Sequence, residues 1–255
     1  MRGTTGGPMD AARGRLLPLD AFAHVFEPLQ GKRIGFVRPR GNVGDSLIEW
    51  ATRQLFEAFG IPWRRFDPDA QDPGEFDELA FGGGGNMGTR YIDNWNLRGR
   101  LLELGLPLTI LPQSFTSAED RPYQRVHVRE RTSLGFCPTG ILSPELALGL
   151  NPPPCPAPTR RVGVFLRRDS ERVAGISLFR QDPVRLCQTP QEYLALAARY
   201  ERIVTDRLHF AISGLIVGRD TTLIANNYHK NASMYETWLR DLGCRFASDA
   251  RTALK

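Results

Sequence analysis

At 255 residues the chain is long enough for one large domain or two small ones, and with 41% hydrophobic and 24% charged residues it is neither disordered nor collagen-like. The net charge of +5 is uneven: residues 156–255 hold 16 basic and 10 acidic side chains, whereas residues 1–155 hold 17 and 18. The basic surplus of the C-terminal half fits an anionic partner there, and equally an ordinary solvated surface.

Residues 1–30 form a lead-in, Gly-rich and then weakly helical. The apolar run 33–38 (RIGFVR) predicts a buried strand, and Leu47, Ile48, Ala51, Leu55, Ala58 and Phe59 predict an amphipathic helix over 45–59. A strand, a Gly-containing loop and a helix open a parallel α/β unit. A second unit follows: a strand over 78–81, the run Gly82-Gly83-Gly84-Gly85, a helix over 91–104, and a strand over 108–111 that ends at Pro112-Gln113-Ser114. A short strand over 125–129 and a helical turn near Glu130 come next. Five prolines within residues 151–158 break the chain, and a domain boundary is set there, giving an N-terminal domain 31–155 and a C-terminal domain 156–255. In the second domain, 161–166 (RVGVFL) is a strand ending at Arg167-Arg168. Thr189-Pro190-Gln191-Glu192 starts a helix that runs to about Tyr200, with Thr as N-cap and Glu three residues on. Strands over 203–205 and 223–225 deliver Asp206-Arg207-Leu208-His209 and His229-Lys230.

Four cysteines, Cys137, Cys155, Cys187 and Cys244, show no CxxC pair and no zinc spacing, and read as idle thiols in a reducing compartment. Residues 1–20 lack the apolar core of a leader peptide, and about 18 apolar residues never run together; the expectation is a cytoplasmic protein without a membrane span.

Ligands of open parallel sheets bind beyond the carboxyl ends of the strands. The glycine run is by itself a weak signal, since neither a dinucleotide fingerprint nor a P-loop is present. Flexible backbone at a helix start can still seat an anion or a sugar. Arg207 and His209 put a cation and an imidazole within one turn of a helix start. With Arg167, Arg168 and Lys230 at neighbouring strand ends, that side suits a phosphate or carboxylate. His24 and His127 read as structural or surface residues, and no Ser lies in a GxSxG elbow.

The loop 41–48 (GNVGDSLI), the run 81–86 (FGGGGN), residues 110–114 (ILPQS), Val128-Arg129-Glu130 with Ser133, Pro144-Glu145-Leu146-Ala147, and Thr205-Asp206-Arg207-Leu208-His209 occur in one order across residues 33–240. Together they resemble the polysaccharide pyruvyl transferase family, with Glu145 where that family more often has Asp. The resemblance implies an α/β, GT-B-like fold: two Rossmann-like halves with parallel sheets facing a central cleft. The second half is shortened, with only about twenty residues between Arg168 and Thr189.

The resemblance implies further that the enolpyruvyl group of phosphoenolpyruvate passes to two sugar hydroxyls of a polysaccharide or its lipid-linked precursor, forming a ketal and releasing phosphate. No cofactor is expected. Arg207, Leu208, His209, Lys230 and either Arg167 or Arg168 would bind the donor, and His209 would carry the proton. Asp45 is a second proton carrier or a helix cap. Asn42, Gly44, Asp45, Gly83, Gly84, Asn86, Gln113 and Ser114 would line the acceptor side, and Tyr91, Trp50, Trp63 and Trp95 are aromatics able to stack on sugars, Trp50 fitting the core better. A lipid-linked acceptor would bring peripheral contact with the inner face of the membrane. A nucleotide-sugar-dependent glycosyltransferase of the same architecture and a catalytically silent saccharide-binding module are the alternatives. A nucleic-acid binder ranks last, because the basic residues lack interleaved aromatics. No motif carries metal-ligand spacing, so activity is expected to survive a chelator; loss of turnover restored by a divalent ion would contradict this.

Overall fold

A computed structural model describes residues 14–172 and 181–254; the Gly-rich start of the lead-in and residues 173–180 of the short connection lie outside the described residues. The helical part of the lead-in forms turns around α1 (Ala23–Phe26). They bury Phe22, Val25, Phe26 and Leu29 completely, so this segment is a piece of the core.

The first sheet contains β1 (Ile34–Val37), β2 (Trp63–Arg65), β3 (Glu78–Phe81), β4 (Gly84–Met87), β5 (Leu108–Phe115), β6 (Arg125–Val128) and β7 (Ile141–Leu142). Its order is β2-β1-β3-β5-β6-β7, with β4 also on β5, and each pairing is parallel. Helices α2 (Val43–Ala58) and α3 (Ile92–Glu103) make the crossovers. The order reverses between β1 and β3, so the crevice of this half opens beyond Val37 and Phe81, where the chain runs into the loop before α2 and into the glycine run. α2 starts two residues before the expected position, because the apolar periodicity marks only the buried face and not the cap. Asn42 is the N-cap, its side chain accepting from the Gly44 N–H at 2.8 Å, and the Asp45 carboxylate reaches back to the Asn42 N–H at 2.7 Å.

The second sheet holds β8 (Arg160–Phe165), β9 (Tyr200–Thr205), β10 (Asp220–Ile224) and β11 (Arg245–Ala247) in the order β11-β10-β9-β8, again parallel. The helices are α4 (Pro183–Leu186), α5 (Pro190–Ala198), α6 (Leu208–Ile216), α7 (Lys230–Met234) and α8 (Ala250–Ala253). α5 carries the expected capping box between Thr189 and Glu192. Beyond β8 the described residues add a single parallel bridge, Phe165 to Gln181. The chain is thus α/β with two Rossmann-like halves, one built on a seven-stranded sheet and the other, among the described residues, on a four-stranded one.

One apolar cluster joins them. Leu47, Ile48, Ala51 and Leu55 of α2 share it with Leu194 of α5 and with Leu208, Ala211, Ile212 and Leu215 of α6. A polar clasp adds to it: Thr132 N–H donates to Ser233 Oγ at 3.1 Å, Ser233 Oγ to Glu130 Oε2 at 2.6 Å, and Trp238 Nε1 to the Arg129 carbonyl at 2.6 Å. His229 Nε2 lies 3.4 Å from Glu130 Oε1. His229 therefore belongs to the joint between the halves.

His24 and His127 are structural. Both hydrogen-bond Ser143 Oγ at 2.8 Å, and His127 is fully buried with Nε2 unpartnered. Burial first, then His24 and Arg125, push the His127 pKa from 6.5 down to about 4. Between those values the unfolded chain binds the extra proton, so stability is lost as pH falls through that window, by up to about 3 kcal/mol. His127→Asn, which keeps a group near the Ser143 hydroxyl, is expected to flatten this loss in urea unfolding at pH 5 and pH 7. An equal loss in variant and wild type would contradict the assignment.

Candidate functional site

A cavity of about 240 Å³ opens where the two halves meet, at the carboxyl ends of both sheets. From the first half it is lined by Arg40, Gly41, Asn42, Gly44 and Asp45 at the start of α2, by Gly85 and Asn86 of β4, by Tyr91 and Asn94 near the start of α3, and by Arg129 after β6. From the second half come Arg167 and Glu171 after β8, Tyr193 of α5, Arg207, Leu208 and His209 at the start of α6, and Lys230 at the start of α7. Nine of the residues singled out in the sequence thus meet here: Asn42, Gly44, Asp45, Asn86, Arg167, Arg207, Leu208, His209 and Lys230.

The others, Tyr91 apart, stand behind or outside the lining. Gln113 donates to the Gly82 carbonyl at 2.6 Å and accepts from the Asn86 N–H at 3.1 Å, fixing the path through Gly83 and Gly84 into β4. Ser114 Oγ accepts from Arg129 Nε at 2.8 Å. Of the two consecutive arginines, Arg167 lines the cavity, whereas Arg168 is exposed, with its backbone N–H bonded to Asp182 at 3.0 Å. Tyr91 reaches the cavity. Trp63 stacks on Phe56, Trp95 lies under the Arg121 guanidinium, and Trp50 packs against the core.

Burying this many cations requires carboxylates, since an unpaired buried charge costs several kcal/mol. Asp182 holds Arg207 through two bonds of 3.0 and 2.7 Å. Asp169 takes Arg207 Nη1 at 2.8 Å and Arg167 Nε at 2.7 Å. Glu171 accepts from Arg167 Nη1 at 2.6 Å, from Lys230 Nζ at 2.7 Å and from the Tyr91 hydroxyl. Burial works to raise the Glu171 pKa, but Lys230 and Arg167 outweigh it and hold the carboxyl well below its ordinary range. Lys230 is pushed down to about 8 by burial, against the pull of Glu171, with Arg167 and Arg129 adding to the fall.

A second cluster faces this one. Glu145 is wholly buried; burial alone would raise its pKa, but Arg129 and His209 hold it at about 2. It accepts from Arg129 Nη1 and lies 3.7 Å from His209 Nε2, which is itself 3.4 Å from Arg129 Nη1. Two glycines make the approach possible. A methyl at Gly44 would lie 2.9 Å from His209 Nδ1, and one at Gly85 would lie 2.7 Å from Arg129 Nη2 and 3.4 Å from the Lys230 stem. Asp45 is engaged as the cap partner of Asn42 through one oxygen.

The arrangement places an imidazole, beside a buried carboxylate, at the edge of a cavity whose cations Arg129, Arg167, Arg207 and Lys230 are each paired with a carboxylate. Arg129 and Glu145 stood in the sequence motifs without a role of their own, and Gly85 only as part of its run. Glu171 and Tyr193 carried no sequence signal, because their partners are set by tertiary contact.

Comparisons with known proteins agree with this architecture. A sequence profile described as polysaccharide pyruvyl transferase matches residues 42–228. The chain is 24% identical over 267 residues to EpsO of Bacillus subtilis (strain 168), a protein provisionally named a pyruvyl transferase; the match spans 78% of this chain and 82% of the relative. The crystal structure of the uncharacterized protein KP1_0663 from Klebsiella pneumoniae subsp. pneumoniae NTUH-K2044 superposes with a TM-score of 0.75 at 19% identity, over 91% of this chain and 98% of that one.

Because Arg129 is pinned by Ser114 and Glu145, Gly85→Ala leaves its guanidinium nowhere to yield. The variant is expected to bind inorganic phosphate about tenfold more weakly in calorimetry; unchanged affinity would show that Gly85 does not shape the seat. Wild-type phosphate affinity is expected to fall as pH rises through about 8, where Lys230 loses its proton, and Lys230→Arg should remove that fall.

Proposed function

The chain belongs to the polysaccharide pyruvyl transferase family, and from that premise we propose that its cavity takes phosphoenolpyruvate as donor and builds a pyruvate ketal across two hydroxyls of a saccharide, releasing phosphate. The observation that carries this reading is His209, backed by buried Glu145, at the edge of a small cavity lined by Arg129, Arg167, Arg207 and Lys230. A volume of about 240 Å³ suits a three-carbon phosphorylated acid, since pockets for drug-sized ligands hold roughly 300–1,000 Å³. A nucleotide sugar is far larger than that donor, which favours the pyruvyl reading over the glycosyltransferase one.

In this reading His209 gives a proton to the enol methylene, which becomes the methyl group. The neighbouring carbon, now electron-poor, takes the oxygen of one sugar hydroxyl, whose proton returns to the imidazole. The bond from that carbon to the phosphate oxygen then breaks, the second hydroxyl oxygen closes the ketal, and its proton leaves with phosphate. Nothing is oxidised or reduced, so the balance needs no redox cofactor. Guanidinium and ammonium groups hold the donor's charges and stabilise the departing phosphate. Within this reading residues 156–255 form the donor side and residues 31–155 the acceptor side. The acceptor is a saccharide or its lipid-linked precursor, modified in the cytoplasm or at the inner face of the membrane. Among the described residues no helix is long and apolar enough to cross a membrane.

His209→Ala is expected to lower ketal formation by about 10²–10⁴-fold while phosphoenolpyruvate affinity stays within a few-fold, followed by phosphate release and by the mass gain of a panel of unprotected glycosides. Glu145→Gln should lower kcat more than it changes KM. Wild-type ketal formation by His209→Ala would overturn the assignment of the acid.

A further inference from the structure

The cations of the donor side are not open to a ligand as they stand. Asp182 is the fixed member of their carboxylate set: besides its two bonds to Arg207 it caps α4 through the Val184 N–H at 3.2 Å and accepts the Arg168 N–H at 3.0 Å. Its place is set by backbone, and no ligand can move it without undoing α4. Glu171 is held differently. Its side chain lines the cavity, and among the described residues its hydrogen-bond and ion-pair partners are the tips of other side chains: Lys230 Nζ, Arg167 Nη1 and the Tyr91 hydroxyl. The turn that carries it is anchored separately through Asn227, whose backbone N–H donates to the Glu171 carbonyl at 3.1 Å and whose side chain donates to the Ser170 carbonyl at 2.6 Å. The carboxylate can therefore leave by rotating its own side chain while the turn stays in place. Lys230 and Arg167 would then share a gap the size of one carboxylate, next to Arg129 Nη2 across Gly85.

We propose that Glu171 is a built-in counter-anion: it occupies the anion seat between Arg167 and Lys230 when no ligand is bound, yields it to the incoming anion, and takes it back as phosphate departs. Two consequences follow from charge alone. The empty seat keeps its arginine and lysine positioned and charged without a ligand, avoiding the cost of isolated buried cations. Every entering anion must also replace an existing ion pair, which holds down the affinity for a lone phosphate and helps the product leave. Tyr91, from the opposite half, steadies Glu171 in the seat and so sets how readily it yields. Identifying the donor as phosphoenolpyruvate rests on the function proposed above; the counter-anion role does not.

The test is calorimetric titration with inorganic phosphate at about pH 6, well below the value of about 8 to which burial pushes Lys230 beside Glu171. Glu171→Gln, of the same shape without the charge, is expected to bind phosphate about tenfold tighter than wild type, and in turnover to show stronger inhibition by phosphate with kcat and KM both reduced. Tyr91→Phe, which frees one of the three partners, should tighten phosphate binding a few-fold. If Glu171 merely organised Arg167 and Lys230, both substitutions would weaken phosphate, and that result overturns the proposal, as does unchanged affinity in both. Should Glu171→Gln fail to fold, Tyr91→Phe decides by the same sign. Phosphate binding that tightens in Glu171→Gln while phosphoenolpyruvate fails to compete with it would sink the donor assignment and leave the counter-anion standing. Ketal formation from phosphoenolpyruvate combined with weaker phosphate binding in Glu171→Gln would do the reverse.

Discussion

Arg167, Arg207 and Lys230 are cations at least nine-tenths or nearly so withdrawn from water, and the way the second half is built follows from the need to pair them. Isolated in a low-dielectric cavity, each would cost several kcal/mol. The short stretch after β8 meets that need by placing Asp169, Glu171 and Asp182 around them. In the second sheet β9 and β10 lie inside β8 and β11, and the chain leaving β9 and β10 delivers Arg207, His209 and Lys230 toward those carboxylates.

Facing this cluster, the first half contributes a rigid wall. Glu145 and Ser114 lock the Arg129 guanidinium, while the glycine run and the first turn of α2 bring backbone close enough for Gly85 to touch it and for Gly44 to touch His209. The Gly44–His209 contact survives only if the halves keep their relative position. The shared core of α2, α5 and α6, with the clasp of Glu130, Ser233 and Trp238, provides that stiffness. Chemistry at the seam is thus positioned by apolar packing on one side of it and hydrogen bonds on the other.

Most of the fold was legible in the sequence because its strands are short apolar runs ending at charge or glycine. β1 reads IGFV and β3 reads ELAF, and each is buried throughout. The exceptions are instructive. β2 reads WRR, an edge strand with little burial and no alternation, and β4 reads GGNM, extended because it pairs with β5 at Gly84 and Met87 and not because its residues favour strands. At the site, the strand-end rule found the cations, since a strand followed by a helix start fixes where Arg207 and Lys230 must emerge. It could not find their partners. Glu171 meets Lys230 across 59 residues and Tyr91 across 80, and nothing local to Glu171 marks it. The basic surplus of the C-terminal half therefore overstated the charge of the cavity: the cations are there, and so are their carboxylates.

The most direct measurement is the crystal structure of the protein soaked with phosphoenolpyruvate. The account predicts the ligand between Arg129, Arg167 and Lys230 with its methylene carbon facing His209, and the Glu171 carboxylate turned out of the seat. A ligand bound elsewhere, or one that sits in the cavity away from His209 with the Glu171 ion pairs to Arg167 and Lys230 intact, would contradict it.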